Sequence, residues 1–184
     1  VAPEIAEADG KIAGVILLAG IARSVEDALA DEIEYAAAIY SEPDGAEEWN
    51  SMREQVQALR TQTLEPRASL LGAKASFWYD LSRRDAEVAT RKAAALPGRV
   101  LVVQGGRDFT ATEEDFHLWK SALAGHADAT FQLYSDLNHF FAKGQGKATP
   151  MEHRIPKPFD PRVIELIANW CTRLPLGGAK PPGS

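Results

Sequence analysis

The stretch Arg99-Val100-Leu101-Val102-Val103-Gln104-Gly105-Gly106-Arg107-Asp108 runs from an aliphatic segment through two glycines to an acid. Its aliphatic residues do not alternate with polar ones, so a strand here must be covered on both faces, as in a parallel α/β sheet. The glycines let the chain turn sharply at the carboxyl end of the strand. They can hold a short carboxylate beside the sheet edge.

Two further segments read as strands. Ala13-Gly14-Val15-Ile16-Leu17-Leu18-Ala19-Gly20 is a continuous apolar run closed by glycine. Ala129-Thr130-Phe131-Gln132-Leu133-Tyr134 alternates more, as a strand near a sheet edge does. Helical patterns lie between and after them. Thr112-Glu113-Glu114-Asp115 is an N-cap with acids in the first turn, opening a helix with Phe116, Leu118, Trp119, Ala122 and Leu123 on its apolar side. Asp160-Pro161 starts a last helix to about Arg173, with Val163, Ile164, Ile167, Trp170 and Cys171 facing in. Strand, helix, strand, helix implies an α/β fold.

Residues 24–96 interrupt this rhythm with far more chain than one crossover helix requires. The stretch reads as helical throughout. Ser24 caps a helix to about Tyr40, Ser41-Glu42-Pro43-Asp44-Gly45 is a turn, and Ala46 to about Thr63 carries Trp49, Met52, Val56 and Leu59 at helical spacing. Ser69–Leu81 holds Phe77-Trp78-Tyr79, and Asp85–Ala95 is another short helix. Such an insertion is expected to cap the carboxyl edge of the sheet. The expected organisation is a core of residues 1–23 and 97–174, a helical cap of 24–96, and a flexible Gly/Pro-rich tail of 175–184.

Ligands of open α/β sheets bind outside the carboxyl ends of the strands. Asp108 follows one strand there. Asp136-Leu137-Asn138-His139-Phe140-Phe141 follows the next. Neighbouring strands lie about 4.8 Å apart, so their loops can bring Asp108 onto His139. The carboxylate would accept the Nδ1 proton and fix the tautomer, leaving Nε2 to take a proton from a hydroxyl nucleophile. Plainer roles stay open: Asp108 as a turn residue before the Thr112 helix, and His139 packed under Phe140 and Phe141.

Gly105-Gly106-Arg107-Asp108 followed by Leu137-Asn138-His139-Phe140, with a final helix behind, resembles the acid and histidine loops of α/β-hydrolases. The resemblance spans roughly Ile5 to Leu174 and is to serine carboxylesterases of the dienelactone-hydrolase-like or acyl-thioesterase-like branches. It implies the C-terminal part of an α/β-hydrolase sheet, about three parallel strands, with a helical cap. It also implies hydrolysis of a small-molecule carboxylic ester or thioester by a Ser-His-Asp triad, without cofactor, in which Asp108 and His139 are the acid and base. One departure is large. The nucleophile of that family sits in G-x-S-x-G, and no such motif occurs here. By family spacing it would lie just upstream of Val1. Val1–Ala8 would then be the remainder of the nucleophile helix, Ile12–Ala19 the sixth strand, and the oxyanion-hole loop would be missing too. The expectation is a truncated chain, or one whose first half comes from a partner.

Other residues weigh less. Phe77 and Trp78 are candidates for lining an acyl pocket, with packing of cap onto body the competing reading. Arg23 is a candidate for a substrate carboxylate, against a salt bridge to Glu26 or Asp27. Ser24 reads as a helix cap rather than a nucleophile. Glu113 or Glu114 with His117 reads as an exposed helical pair, so no metal site is expected. His126 and His153 are expected to be solvated. Cys171 is the single cysteine, which excludes an internal disulfide, and its helical pattern predicts a buried, inert thiol.

The 184 residues suit one domain with a real core. A net charge of -6 argues against nucleic acid and against anionic membrane surfaces. The longest apolar run, Ile12–Ala19, is too short to span a bilayer. Val1-Ala2-Pro3-Glu4 does not read as a signal peptide. A soluble, cytoplasmic, bacterial-type protein is expected, with any leader upstream of residue 1. Two function classes follow: an ester or thioester hydrolase, or a non-catalytic, self-associating hydrolase part acting as a binding or structural module. In both, the open apolar edge of residues 12–19 is expected to pair with another chain and give a homo-oligomer.

Overall fold

A computed structural model describes residues 1–40, 46–83 and 86–173. The turn read at Ser41–Gly45, the helix start at Asp85 and the tail of residues 175–184 lie outside the described residues. Along the chain run α1 (Ala2–Asp9), β1 (Gly14–Leu18), α2 (Val25–Ile39), α3 (Ala46–Arg60), β2 (Ser69–Leu70) and β3 (Ala73–Lys74). They are followed by α4 (Ala75–Ser82), α5 (Ala86–Ala94), β4 (Arg99–Gly105), α6 (Glu113–Ala122), β5 (Ala129–Tyr134) and α7 (Pro161–Thr172). A short 3-10 helix, Pro150–Arg154, lies between β5 and α7.

The main sheet has three strands in the order β1-β4-β5, with both pairings parallel. It is the α/β arrangement expected, compatible with part of an α/β-hydrolase fold. The aliphatic run of β4 explains its central place. Val100 and Val102 point into a cluster with Val15, Leu17, Phe116, Trp119 and Leu123. Leu101 and Val103 point the other way, onto Leu137, Phe141, Val163 and Trp170. Alternate side chains thus serve opposite faces, and all four are buried. Each contributes roughly 1.5–3 kcal/mol of burial. β1 pairs with β4 alone among the described residues and leaves Leu18 41% exposed.

Local signals set the helix ends. Thr112 and Asp115 form a reciprocal capping box at α6. Ser24 accepts from the Asp27 amide at α2, and Asp160 from the Arg162 amide at α7. Between β1 and β4 the chain builds a cluster of its own, from Val25, Leu29, Ile33, Val56, Leu59 and Leu70.

Several expectations are corrected. Residues 69–74 are an antiparallel hairpin rather than helix. Leu71 and Gly72 both have positive φ, 46° and 78°, which is the two-residue turn that matches strand twist. On α6, Leu118 is exposed. On α7, Ile164 and Cys171 are exposed, so the thiol is not buried. One face of α7 meets the sheet, and Val163 with Trp170 fills it. No helix among the described residues is long and apolar enough to cross a membrane.

Candidate functional site

The loops after β4 and β5 meet at the carboxyl edge of the sheet. Gly106 donates its amide to the Tyr134 carbonyl at 2.8 Å and Arg107 to the Leu137 carbonyl at 2.9 Å. This approach requires glycine at 105, because a Cβ there would lie 2.5 Å from the Leu137 carbonyl oxygen. Asp108 is then held on both carboxylate oxygens. Oδ1 accepts from the Thr110 and Ala111 amides at 2.9 and 3.1 Å. Oδ2 accepts from Gln104 Nε2 at 2.9 Å and lies 2.9 Å from His139 Nδ1. The Asp108 side chain is wholly buried, while that of His139 is 27% exposed.

Asn138 builds the histidine loop. Its Oδ1 accepts from the Phe140 and Ala142 amides at 3.1 and 3.0 Å, and its Nδ2 donates to Glu152 at 3.2 Å. The ring of His139 opens into a pocket of about 500 Å³ that Leu18, Phe141, His153, Arg154 and Phe159 also line. Burial pulls the imidazole pKa down, but the hydrogen bond and charge of Asp108, with the charge of Glu32, raise it above the ordinary value. An imidazolium is therefore stabilised here, as a general base requires after it has taken a proton.

Other groups surround this pair. Tyr35 stacks on Phe109 at 4.9 Å, and Phe109 stacks on His153 at 4.7 Å. The Tyr35 hydroxyl donates to the Ala148 carbonyl at 2.8 Å, which ties α2 to the loop before the 3-10 helix. His153, expected to be solvated, lies in this stack beside His139. Burial and the nearby His139 keep its pKa low. Burial pushes the Glu32 carboxyl up. The charge of His139 opposes this, that of Asp108 adds to it, and a hydrogen bond with Thr110 opposes it again. Arg107, 6% exposed, pairs with Glu152 at 2.7 Å and anchors the 3-10 helix.

Of the residues singled out by sequence, Asp108 and His139 come together. The other three lie elsewhere. Arg23 is clamped by Asp115, at 3.1 Å, and by Asp31, rather than by Glu26 or Asp27. Asp115 also accepts from the Ala22 and Arg23 amides, so this pair joins the β1 loop to α6. Trp78 packs in the α2–α3 cluster and donates to the Leu70 carbonyl at 2.8 Å. Phe77 is 53% exposed. None of the three lines the His139 pocket. His126 is tied down as well, with Nε2 3.0 Å from the Leu96 carbonyl. By sequence, neither Gln104 nor Glu32 is singled out, Asn138 enters only within the histidine loop, and His153 is expected to be solvated. A polar Gln104 at the end of an aliphatic strand and Asn138 beside His139 were available signals. Glu32 and His153 carry none in their local sequence.

No protein-family model matches the chain. The chain is 34% identical over 172 residues to a Thermotoga maritima protein named Esterase EstD. The match covers 93% of this chain and 40% of the relative, so the chain spans about two-fifths of that protein's length. The relationship supports an esterase family among the hydrolases.

Proposed function

We propose that these residues are the acid-and-histidine part of a serine carboxylic ester hydrolase of the α/β-hydrolase type. The observation that carries this reading is the 2.9 Å contact between His139 Nδ1 and buried Asp108, with the imidazole open to a pocket. Asp108 fixes the tautomer that leaves Nε2 free. Nε2 takes the proton of a serine hydroxyl contributed from outside these 184 residues. The serine oxygen adds to the ester carbonyl, and His139 returns the proton to the departing alcohol or thiol. A water then attacks the acyl-enzyme with the same proton relay and releases the acid. The substrate is a small-molecule ester, which the name of the relative supports, or the chemically related thioester. Residues 24–96 act as a cap, supported by the reach of Tyr35 to Ala148.

The test is p-nitrophenyl butyrate turnover by the gene product that carries these residues. Asp108→Asn and His139→Ala should each abolish most of it. Activity that survives both substitutions would overturn the assignment. The edge of β1, which pairs with β4 alone among the described residues, supports a second element of the reading, pairing with chain beyond these residues or with another copy. A monodisperse monomer by light scattering would count against it.

A further inference from the structure

A second pocket, of about 530 Å³, is lined by Pro150, Met151 and Arg154 of the 3-10 helix, whereas Glu152, His153 and Arg154 line the His139 pocket. Most of its lining is apolar, with Ile33, Trp49, Met52, Leu71, Phe109 and Pro150 among it, while Glu32 and Arg154 add two charged groups. Arg154 lines both pockets, so they meet at a common rim. Behind the rim they are divided by two rings. Phe109 faces the apolar pocket and His153 faces the His139 pocket. The two rings stack at 4.7 Å, 12° from parallel.

Ring contacts and the neighbouring chain hold this stack. Tyr35 covers the far face of Phe109 at 4.9 Å, and Phe140 meets His153 edge-on at 4.8 Å. Phe109 follows Asp108, which four hydrogen bonds fix. His153 follows Glu152, which Arg107 and Asn138 fix. Nε2 of His153 is buried without a hydrogen-bond partner. The contacts that hold the ring are therefore its stacking faces.

We propose that the Phe109–His153 stack is a partition that sets acyl-chain length, with His153 as the specificity-determining residue. The inference rests on the hydrolase reading and names its substrate class: esters of short acyl groups, which fit beside His139 without entering the apolar pocket. A long alkyl chain leaving the scissile carbonyl toward α2 meets the His153 ring. Removing that ring opens a path to a pocket whose lining suits an alkyl chain.

The experiment compares kcat/KM for p-nitrophenyl butyrate and p-nitrophenyl decanoate in the parent gene product and in His153→Ala, His153→Phe and Phe109→Ala. The parent is expected to favour butyrate. In His153→Ala the decanoate-to-butyrate ratio should rise at least about tenfold, the gain from burying a few methylenes. Phe109→Ala should move it in the same direction. His153→Phe keeps a ring in place and should leave the ratio unchanged. A parent that already favours decanoate overturns the partition. So does a His153→Phe variant that behaves like His153→Ala, since the role would then belong to the imidazole nitrogens. If the parent hydrolyses neither ester, the hydrolase reading fails instead. The partition is then judged by binding of decanamide, which His153→Ala should tighten about tenfold; unchanged binding overturns it.

Discussion

Gln104 donates from Nε2 to Asp108 Oδ2 across 2.9 Å, at the same oxygen that faces His139. The amide also reaches the Ala111 carbonyl at 2.5 Å. One buried side chain therefore aims the carboxylate and secures the loop that carries it. Replacing Gln104 by Leu would leave a buried carboxylate oxygen and a carbonyl without that donor. A loss of about 1–3 kcal/mol is expected, measured by urea unfolding of parent and variant. An unchanged midpoint would mean that the amide is dispensable for holding the loop.

Asp108→Asn keeps the shape of the site and presents an amide to Nδ1, which favours the wrong tautomer. Ester turnover is expected to fall about a thousandfold to ten-thousandfold, while stability falls by only about 1–3 kcal/mol because the same amide also faces the Gln104 donor. A loss of activity that only tracks a loss of fold would remove the chemical role from Asp108.

The two neighbouring imidazoles should titrate in opposite directions. His139 has a folded pKa above its ordinary value, because the hydrogen bond and charge of Asp108 outweigh burial. Its contribution to stability is complete below the unfolded value of about 6.5 and is lost as pH rises through the folded value. Activity that needs the neutral base should rise with an inflection above 6.5, and Asp108→Asn should lower that inflection. Burial and His139 hold His153 below its ordinary value. Lowering the pH through that range therefore costs stability rather than adding it. Ring-proton NMR titrations distinguish the two; the reverse order would contradict this account.

Arg107 should act as a clamp for the 3-10 helix. It pairs with Glu152 and donates to the Gly146 carbonyl at 2.7 Å. Arg107→Ala would strand Glu152 and free the segment bearing His153. The expected cost is about 2 kcal/mol, below that of a fully buried pair because Glu152 keeps some contact with water. The hydrogen bond from Arg107 holds the Glu152 carboxyl below its ordinary range. The stability from this pair is thus present above the unfolded carboxylate value and lost as pH falls through the folded one. Parent and variant unfolding curves should therefore converge in acid.

Gly144 sits against the same guanidinium, where an added Cβ would collide with it. Gly144→Ala is expected to weaken the clamp in the same way, with raised hydrogen exchange across residues 144–154. Normal exchange there would show that the guanidinium can yield.

The sequence by itself determined the sheet and the two loops that bear Asp108 and His139. Strand β4 was legible because an unbroken aliphatic run has one economical solution, burial on both faces, and the glycines after it mark where backbones must approach. Caps at Ser24, Thr112 and Asp160 were legible because a side chain bonds an amide two or three residues away. Tertiary structure alone decided what surrounds the pair. The Leu71-Gly72 hairpin lacks a strong turn pair, and helical spacing on either side conceals it. Ile164 and Cys171 match the apolar period of α7, yet the helix presents only one narrow stripe to the sheet. His153 packs beside His139 and Glu32 acts on it through charge, from positions 14 and 107 residues away by their numbers. Such contacts depend on how helices dock across a sheet edge, which no local pattern of residues encodes.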